Sequence, residues 1–158
     1  MLSKEYIAGF FDGEGSIGIY TNGKIHLHLK VQLVQTDTDN GFAILNEIFN
    51  RFGGNLSRSI SSSGRHKWNW QICSNPALEF LKWIKPCLRI KKDQAILAIA
   101  WEASRPKMSR GTDGRILPIK PRDIDIKVSN VMKEMKKLKS GFDISKLIKD
   151  LRVSNTSV

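Results

Sequence analysis

SKEYIAGFFDGEGS, residues 3–16, begins on a helix-capping serine and ends in two glycines that alternate with two acids. Ser3 suits an N-cap and Glu5 falls in the first turn, where the helix dipole favours an acid. Apolar residues then run from Tyr6 to Phe11, so the pattern predicts a helix that Gly13 and Gly15 bring to an end. Gly9 and Gly13 stand four apart, on one helical face. A glycine inside a helix costs about 1 kcal/mol relative to alanine. Close approach of a second backbone would account for that cost; plain termination at Gly13 is the simpler account. Asp12 and Glu14 lie at the helix end where the dipole disfavours acids. Two acids there point either to a bound cation or to a solvated acidic turn.

Outward from this stretch, SIGIYTNGKIHLHLKVQLVQ reads as a hairpin, with Asn22-Gly23 between two alternating runs. Ile17 and Ile19 are expected inside, with Ser16, Gly18 and Tyr20 outside. In the second run Ile25, Leu27, Leu29, Val31 and Leu33 share the inner face, and Lys24, His26, His28, Lys30 and Gln32 the outer one. Thr38 to Phe52 is amphipathic at helical spacing and stops at Gly53-Gly54. Two further strands are expected at about 55–61 and 66–73. In the second, Trp68, Trp70 and Ile72 alternate with Lys67, Asn69 and Gln71; in the first, Arg58 falls in phase with Leu56 and Ile60, which leaves its register open. Asn75 and Pro76 read as cap and first residue of a helix, and another helix spans about 92–104. The order is αββαββα, an α+β core over residues 1–104. Residues 105–121 form a basic loop, and 122–158 a C-terminal helical extension of the same domain, with helices at about 122–139 and 143–152.

The composition narrows the classes. With 158 residues, 41% of them hydrophobic, the chain is long enough for one domain with its own core. Its net charge of +11 favours a polyanionic partner, nucleic acid first. Cys73 and Cys87 lack zinc-ligand spacing and are expected to be buried thiols in a reducing compartment. No apolar run approaches a membrane span, and acids follow the N-terminus too early for a signal peptide. The opening stretch has no second copy.

Residues 7–15, Ile-Ala-Gly-Phe-Phe-Asp-Gly-Glu-Gly, followed by Ser16, resemble the LAGLIDADG motif of homing endonucleases, and the αββαββα order over about residues 5–104 extends the resemblance. Members with one motif resemble this chain in length and act as homodimers. The resemblance implies a four-stranded antiparallel sheet that binds double-stranded DNA, with the motif helices of two subunits packed through Gly9, Phe10 and Gly13. It implies that Glu14 binds a divalent cation, usually Mg²⁺, with the Gly13 carbonyl as a further ligand; many members have Asp at the position of Glu14. It further implies catalytic roles for Gln35, near the end of the second strand, and Lys91, just before the last core helix. An ordinary basic helix start is the plainer reading of Lys91-Lys92. A basic residue that some members carry before the second helix is absent, Thr38-Asp39 standing there; Arg65 or the 104–122 loop is expected to compensate.

The DNA-facing residues expected from the outer face are Tyr20, Asn22, Lys24, His26, His28, Lys30, Gln32, Ser57, Ser59, Arg65, Lys67, Asn69 and Gln71. His26 and His28 could pair on a metal, but no third ligand follows, and base or phosphate contact fits better. Strands of about nine residues at ~3.3 Å each span roughly 30 Å, or about nine base pairs per subunit. A two-fold dimer would then cover a pseudo-palindrome of roughly 18–22 pairs. The implied reaction is metal-dependent phosphodiester hydrolysis of both strands across the minor groove, leaving short 3′ overhangs, by a protein that is intron-encoded or free-standing and works beside its host's genome, in cytoplasm, nucleoid or organelle. An intron RNA maturase and a non-catalytic DNA-binding protein of the same fold are the alternatives.

Overall fold

In a computed structural model, residues 1–22, 26–106, 112, 121–137 and 144–153 are described. The elements in chain order are α1 (Lys4–Glu14), β1 (Gly15–Asn22), β2 (His26–Thr36), α2 (Asp39–Phe52), β3 (Asn55–Ile60), β4 (His66–Cys73), α3 (Ser74–Ile84), α4 (Lys92–Ala103), α5 (Asp123–Lys137) and α6 (Ser145–Val153), with a 3-10 turn at Lys85–Cys87. The four strands form one antiparallel sheet in the order β1-β2-β4-β3. The expected αββαββα core and the two C-terminal helices are all present. The basic loop, with Lys107 and Arg110, falls outside the described residues but for Arg105, Pro106, Thr112 and Pro121, as do Gly23, Lys24 and Ile25 of the first hairpin turn.

Alternation decides the faces. Ile17, Ile19, Leu27, Leu29, Val31, Leu33, Trp70 and Ile72 are buried on one face of the sheet, against the helices. There they join Ile7 and Phe11 of α1, Leu45 and Ile48 of α2, Phe80 and Leu81 of α3, and Leu97 and Trp101 of α4. Each large side chain so buried contributes about 1.5–3 kcal/mol. Val128 and Met132 of α5 and Leu147 and Leu151 of α6 belong to the same cluster, so α5 and α6 share the core. Among the described residues no helix is long and apolar enough to cross a membrane.

Local chemistry sets the boundaries. Ser3 caps α1, its hydroxyl accepting from the Tyr6 N–H at 3.1 Å, and Thr38 caps α2 by accepting from Gly41 at 3.1 Å. Gly54 has φ +97°, and a Cβ there would lie 2.5 Å from the Gln71 carbonyl, so only glycine fits where α2 turns into β3. Three expectations are corrected. Helix α1 continues through Gly13 to Glu14, with Gly15 as its cap, so Gly13 is an interior glycine. Helix α3 starts at Ser74, ahead of Asn75 and Pro76, with Cys73 at the cap position. The cysteines are not buried: Cys73 is exposed because it falls in the outward phase of β4, and Cys87 is half-buried in the 3-10 turn.

The open register of β3 is settled by its pairing with β4. Leu56 lies opposite Trp70 and Arg58 opposite Trp68, so Arg58 is on the helix-covered face, as its phase required. It stands beyond the core's edge, where its guanidinium donates two bonds to the Asp37 carboxylate, the Nε bond at 2.8 Å.

Candidate active site

The end of α1 collects the polar groups. Asp12 is buried, while Glu14 is exposed. The Asp12 carboxylate accepts the Arg89 N–H at 2.7 Å and the Lys91 N–H at 2.9 Å, tying the segment that precedes α4 onto α1. The Lys91 ammonium donates to the Asp12 carbonyl, one of the carbonyls the helix leaves without an intrahelical partner. Burial pulls Lys91 below the usual lysine range, against the opposing pull of the Asp12 and Glu14 carboxylates. The negative helix end, two carboxylates and one ammonium thus share one place.

Gln35 belongs to the inner phase of β2, next after Leu33, and lies opposite Trp68. It is beyond the apolar core and lines a hollow together with Glu14, Thr36, Ser61, Ser63, Arg65, His66 and Lys67. The Asp37 N–H donates to the His66 carbonyl at 3.1 Å, which holds the start of β4 beside the entry to α2. Arg65, expected to stand in for the missing base before α2, therefore lines the same hollow as Glu14 and Gln35. Lys91 reaches the helix end from the other side, where it lines a second hollow with Gly15, Ser16, Ile90, Gln94, Met135 and Lys136. Glu14, Gln35 and Lys91 are gathered around one helix terminus.

Among the described residues no group of three or more His, Cys, Asp or Glu could hold a metal. The oxygen atoms left exposed at the α1 end, those of the Glu14 carboxylate above all, could still serve as ligands to a cation completed by other groups. These are all oxygen donors, the set that suits a hard divalent cation whose remaining ligands are water, phosphate or a second subunit.

The outer sheet face is mostly polar, with Val34, opposite Asn69, as an apolar exception. Ser16, Gln32, Gln71 and Asn55 form one cross-strand row, and Thr36, Lys67 and Ser59 another. Ser57 pairs with Asn69, and Asn69 accepts from Gln32 at 2.8 Å. Lys30 stands opposite Gly18, and the Tyr20 ring covers Gly18 so closely that a Cβ there would come within 2.5 Å of it. His28 lies opposite Tyr20, and burial, with the charges of Lys30 and Arg105, lowers its pKa below the ordinary histidine value. Asn22 and His26 are placed in β1 and β2 by their backbone, and Lys24 lies outside the described residues.

On α1, Tyr6, Gly9, Phe10 and Gly13 share a face. The Tyr6 and Phe10 rings stack with planes 10° apart, Tyr6 is exposed, Phe10 is half-buried, and a Cβ at Gly9 or Gly13 would meet nothing within 4 Å. This face of the helix is open in the single chain.

Sequence reasoning missed three residues. Lys136 of α5 reaches Ser16 and Tyr20 at 3.1 and 2.9 Å, so the C-terminal extension adds a cation to the polar face. Nothing local signals this, because 116 residues separate the partners. Asp12 was legible only as one of two acids, not as an acceptor for backbone. Asp37 had its signal in the out-of-character phase of Arg58.

The family model described as LAGLIDADG endonuclease matches residues 7–88, more than half of the chain. Among solved structures, the homing endonuclease I-CvuI in complex with an I-CreI target is similar at 15% identity and a TM-score of 0.59, over 98% of this chain and 95% of that one. An archaeal intron-encoded homing endonuclease, I-Vdi141I, complexed with DNA, is similar at 14% identity and a TM-score of 0.58, over 98% and 97%. The homing endonuclease I-TnaI follows at 15% and 0.52, over 96% and 99%. At these identities the likeness is one of fold. No curated protein matches the sequence.

Proposed function

The chain belongs to the LAGLIDADG endonuclease family, and from that premise we propose that it is a homing endonuclease acting as a homodimer on a long pseudo-palindromic DNA site. The observation that carries the reading is the exposed Glu14 carboxylate at the end of α1, with Gln35 in its hollow and Lys91 on its other side. The open α1 face, bearing Gly9, Phe10 and Gly13, would meet its copy across a two-fold axis, which sets the two Glu14 sites side by side. The polar sheet of each subunit then lies along one half-site, with His28, Lys30, Gln32, Ser57, Ser59, Lys67, Asn69 and Gln71 toward base edges and phosphates.

Glu14 and the Gly13 carbonyl would hold the divalent cation, Mg²⁺ in this reading, which when bound polarises the scissile phosphate and lowers the pKa of its water. Lys91 donates to charge developing on the phosphate. Gln35 orients the attacking water by its amide. Arg65 and Lys67, lining the Glu14 hollow, neutralise the adjoining backbone. The match to an endonuclease family model, with Glu14, Gln35 and Lys91 gathered at the α1 end, supports cleavage over the maturase and binding-only readings.

The test is incubation with a randomised library of DNA sites in Mg²⁺ or EDTA. Double-strand breaks at one pseudo-palindrome, dependent on the cation, are expected. Glu14→Gln should abolish cleavage while the Kd for that site stays within a few fold. Full cleavage by this variant in Mg²⁺ would remove Glu14 from the mechanism.

A further inference from the structure

We infer that Asp12 is a positioning residue for this reaction: its carboxylate fixes the backbone that carries Lys91 at the end of α1. The inference rests on the role given to Lys91 above.

Asp12 is only 8% exposed. Each of its oxygens is engaged by a backbone N–H, from Arg89 at 2.7 Å and from Lys91 at 2.9 Å, in a segment 77 and 79 residues away in sequence. Bonds from N–H groups to an ionised carboxylate are shorter and roughly twice as strong as neutral ones. Lys91 sits at the cap position of α4, its carbonyl accepting from Ala95 at 2.9 Å, and no side chain at that position caps the helix. Asp12 instead holds the approach to this helix, through the N–H groups of Arg89 and Lys91.

Lys91 is thus tied twice to one residue. Its N–H binds the Asp12 carboxylate and its ammonium binds the Asp12 carbonyl. The two ties differ in what they do. The ammonium can leave the carbonyl for a phosphate, whereas the backbone bond keeps the Lys91 Cα in place while it does so. That division assigns separate work to the two acids of the α1 end: Glu14 is left exposed for the cation, and Asp12 places the lysine. A group misplaced by about 1 Å loses on the order of a hundredfold in rate.

The test is a double-mutant cycle read as single-turnover cleavage of fully bound DNA, which separates placement from affinity. Lys91→Met should slow cleavage by roughly ten- to a thousandfold. Asp12→Asn should slow it by roughly ten- to a hundredfold, with the DNA Kd little changed. The combined variant should be no slower than Lys91→Met alone, because Asp12 acts only through Lys91. A purely structural Asp12 would lower the melting temperature and leave the bound-state rate unchanged, or would multiply with Lys91→Met; either result overturns the inference. Arg89→Pro gives a second route should Asp12→Asn fail to fold. It removes one N–H while keeping both side chains, and Leu88, at φ −71° and ψ 143°, already has the backbone a residue before proline adopts. This variant should also slow cleavage without adding to Lys91→Met, and an unchanged rate counts against the inference. A wild-type protein that cuts no site overturns the endonuclease reading, and the role of Lys91 with it; wild-type cleavage with additive variants overturns the role of Asp12 alone.

Discussion

Lys136, near the end of α5, donates to the Tyr20 hydroxyl at 2.9 Å on the sheet face opposite the core. Its ammonium also lies 5.2 Å from the centre of the Tyr20 ring, with the Lys30 ammonium 5.8 Å from the same centre. Burial pushes the Tyr20 phenol up, but the bond and charge of Lys136, the Ser16 hydroxyl bond and the Lys30 charge outweigh it and leave it below the usual tyrosine value. A helix of the C-terminal third therefore sets a cation beside the residues proposed to face DNA.

If Lys136 turns from Tyr20 to a phosphate on binding, Lys136→Ala should weaken all sites alike. The slope of log K against log salt should flatten by about one unit. Anisotropy titrations at several salt concentrations measure both. An unchanged slope would mean that Lys136 stays on Tyr20 in the complex.

The parts of the molecule built from local pattern were legible in the sequence. Alternation places Leu27, Leu29, Val31 and Leu33 inside and His28, Lys30 and Gln32 outside, and Ser3, Thr38 and the Gly53-Gly54 pair mark element ends. The parts that depend on distant partners were not. Asp12 looks like a second metal acid until the N–H groups of Arg89 and Lys91 are seen to reach it. Cys73 looked like a core thiol because composition says where cysteines usually lie, not which phase of β4 this one occupies. Arg58 showed its oddity, an out-of-place charge in an apolar phase, but not the Asp37 that resolves it.

Gly9→Leu should separate assembly from folding. Nothing within 4 Å of the Gly9 Cβ position opposes a side chain in the single chain, and replacing a helix-interior glycine adds up to about 1 kcal/mol of helix propensity. The variant should keep the wild-type far-ultraviolet circular dichroism yet sediment as a monomer, with a melting temperature that no longer rises with protein concentration, and DNA cleavage should fall with the loss of the dimer. Sedimentation as a dimer would move the interface away from this face of α1.

Asp125 makes an acid-sensitive lock between α5 and α4. Its carboxylate accepts from Trp101 Nε1 at 2.9 Å, from Arg122 Nη2 at 2.8 Å and from the Arg122 N–H at 2.8 Å. Burial pushes its pKa up, but the Arg122 bonds and charge and the Trp101 bond outweigh that, so the folded value lies below the ordinary one. A depressed carboxylate pKa stabilises fully above the unfolded value of about 3.9, and that stabilisation is lost as pH falls through the folded value. Asp125→Asn should cost roughly 3 kcal/mol at pH 7, because the half-buried Arg122 loses its partner. The gap to wild type should narrow below about pH 4. Urea unfolding of both proteins from pH 7 to pH 3 tests it, and a gap that does not change with pH would remove Asp125 as the acid-sensitive group.

The hydrogen bond from Gln32 to Asn69, 2.8 Å across β2 and β4, makes a sharper prediction about sequence reading. Each amide fixes the other's orientation, so the pair presents one settled arrangement of donors and acceptors to the major groove, the pattern by which base pairs are told apart. Asn69→Ala should therefore relax preference at the positions read by Gln32 as well as at its own. Gln32→Ala should relax the same positions, and the double variant should lose little more than either. A good bidentate contact discriminates by about 1–3 kcal/mol, roughly 5- to 150-fold. Lys30 and Lys67 lie outside this pair, and their replacement should alter other positions of each half-site independently. Site profiling of the single and double variants at two salt concentrations reads all of this in one assay. If Gln32 and Asn69 variants weaken every site equally, the pair holds backbone, and the target is read through the deformability of its DNA.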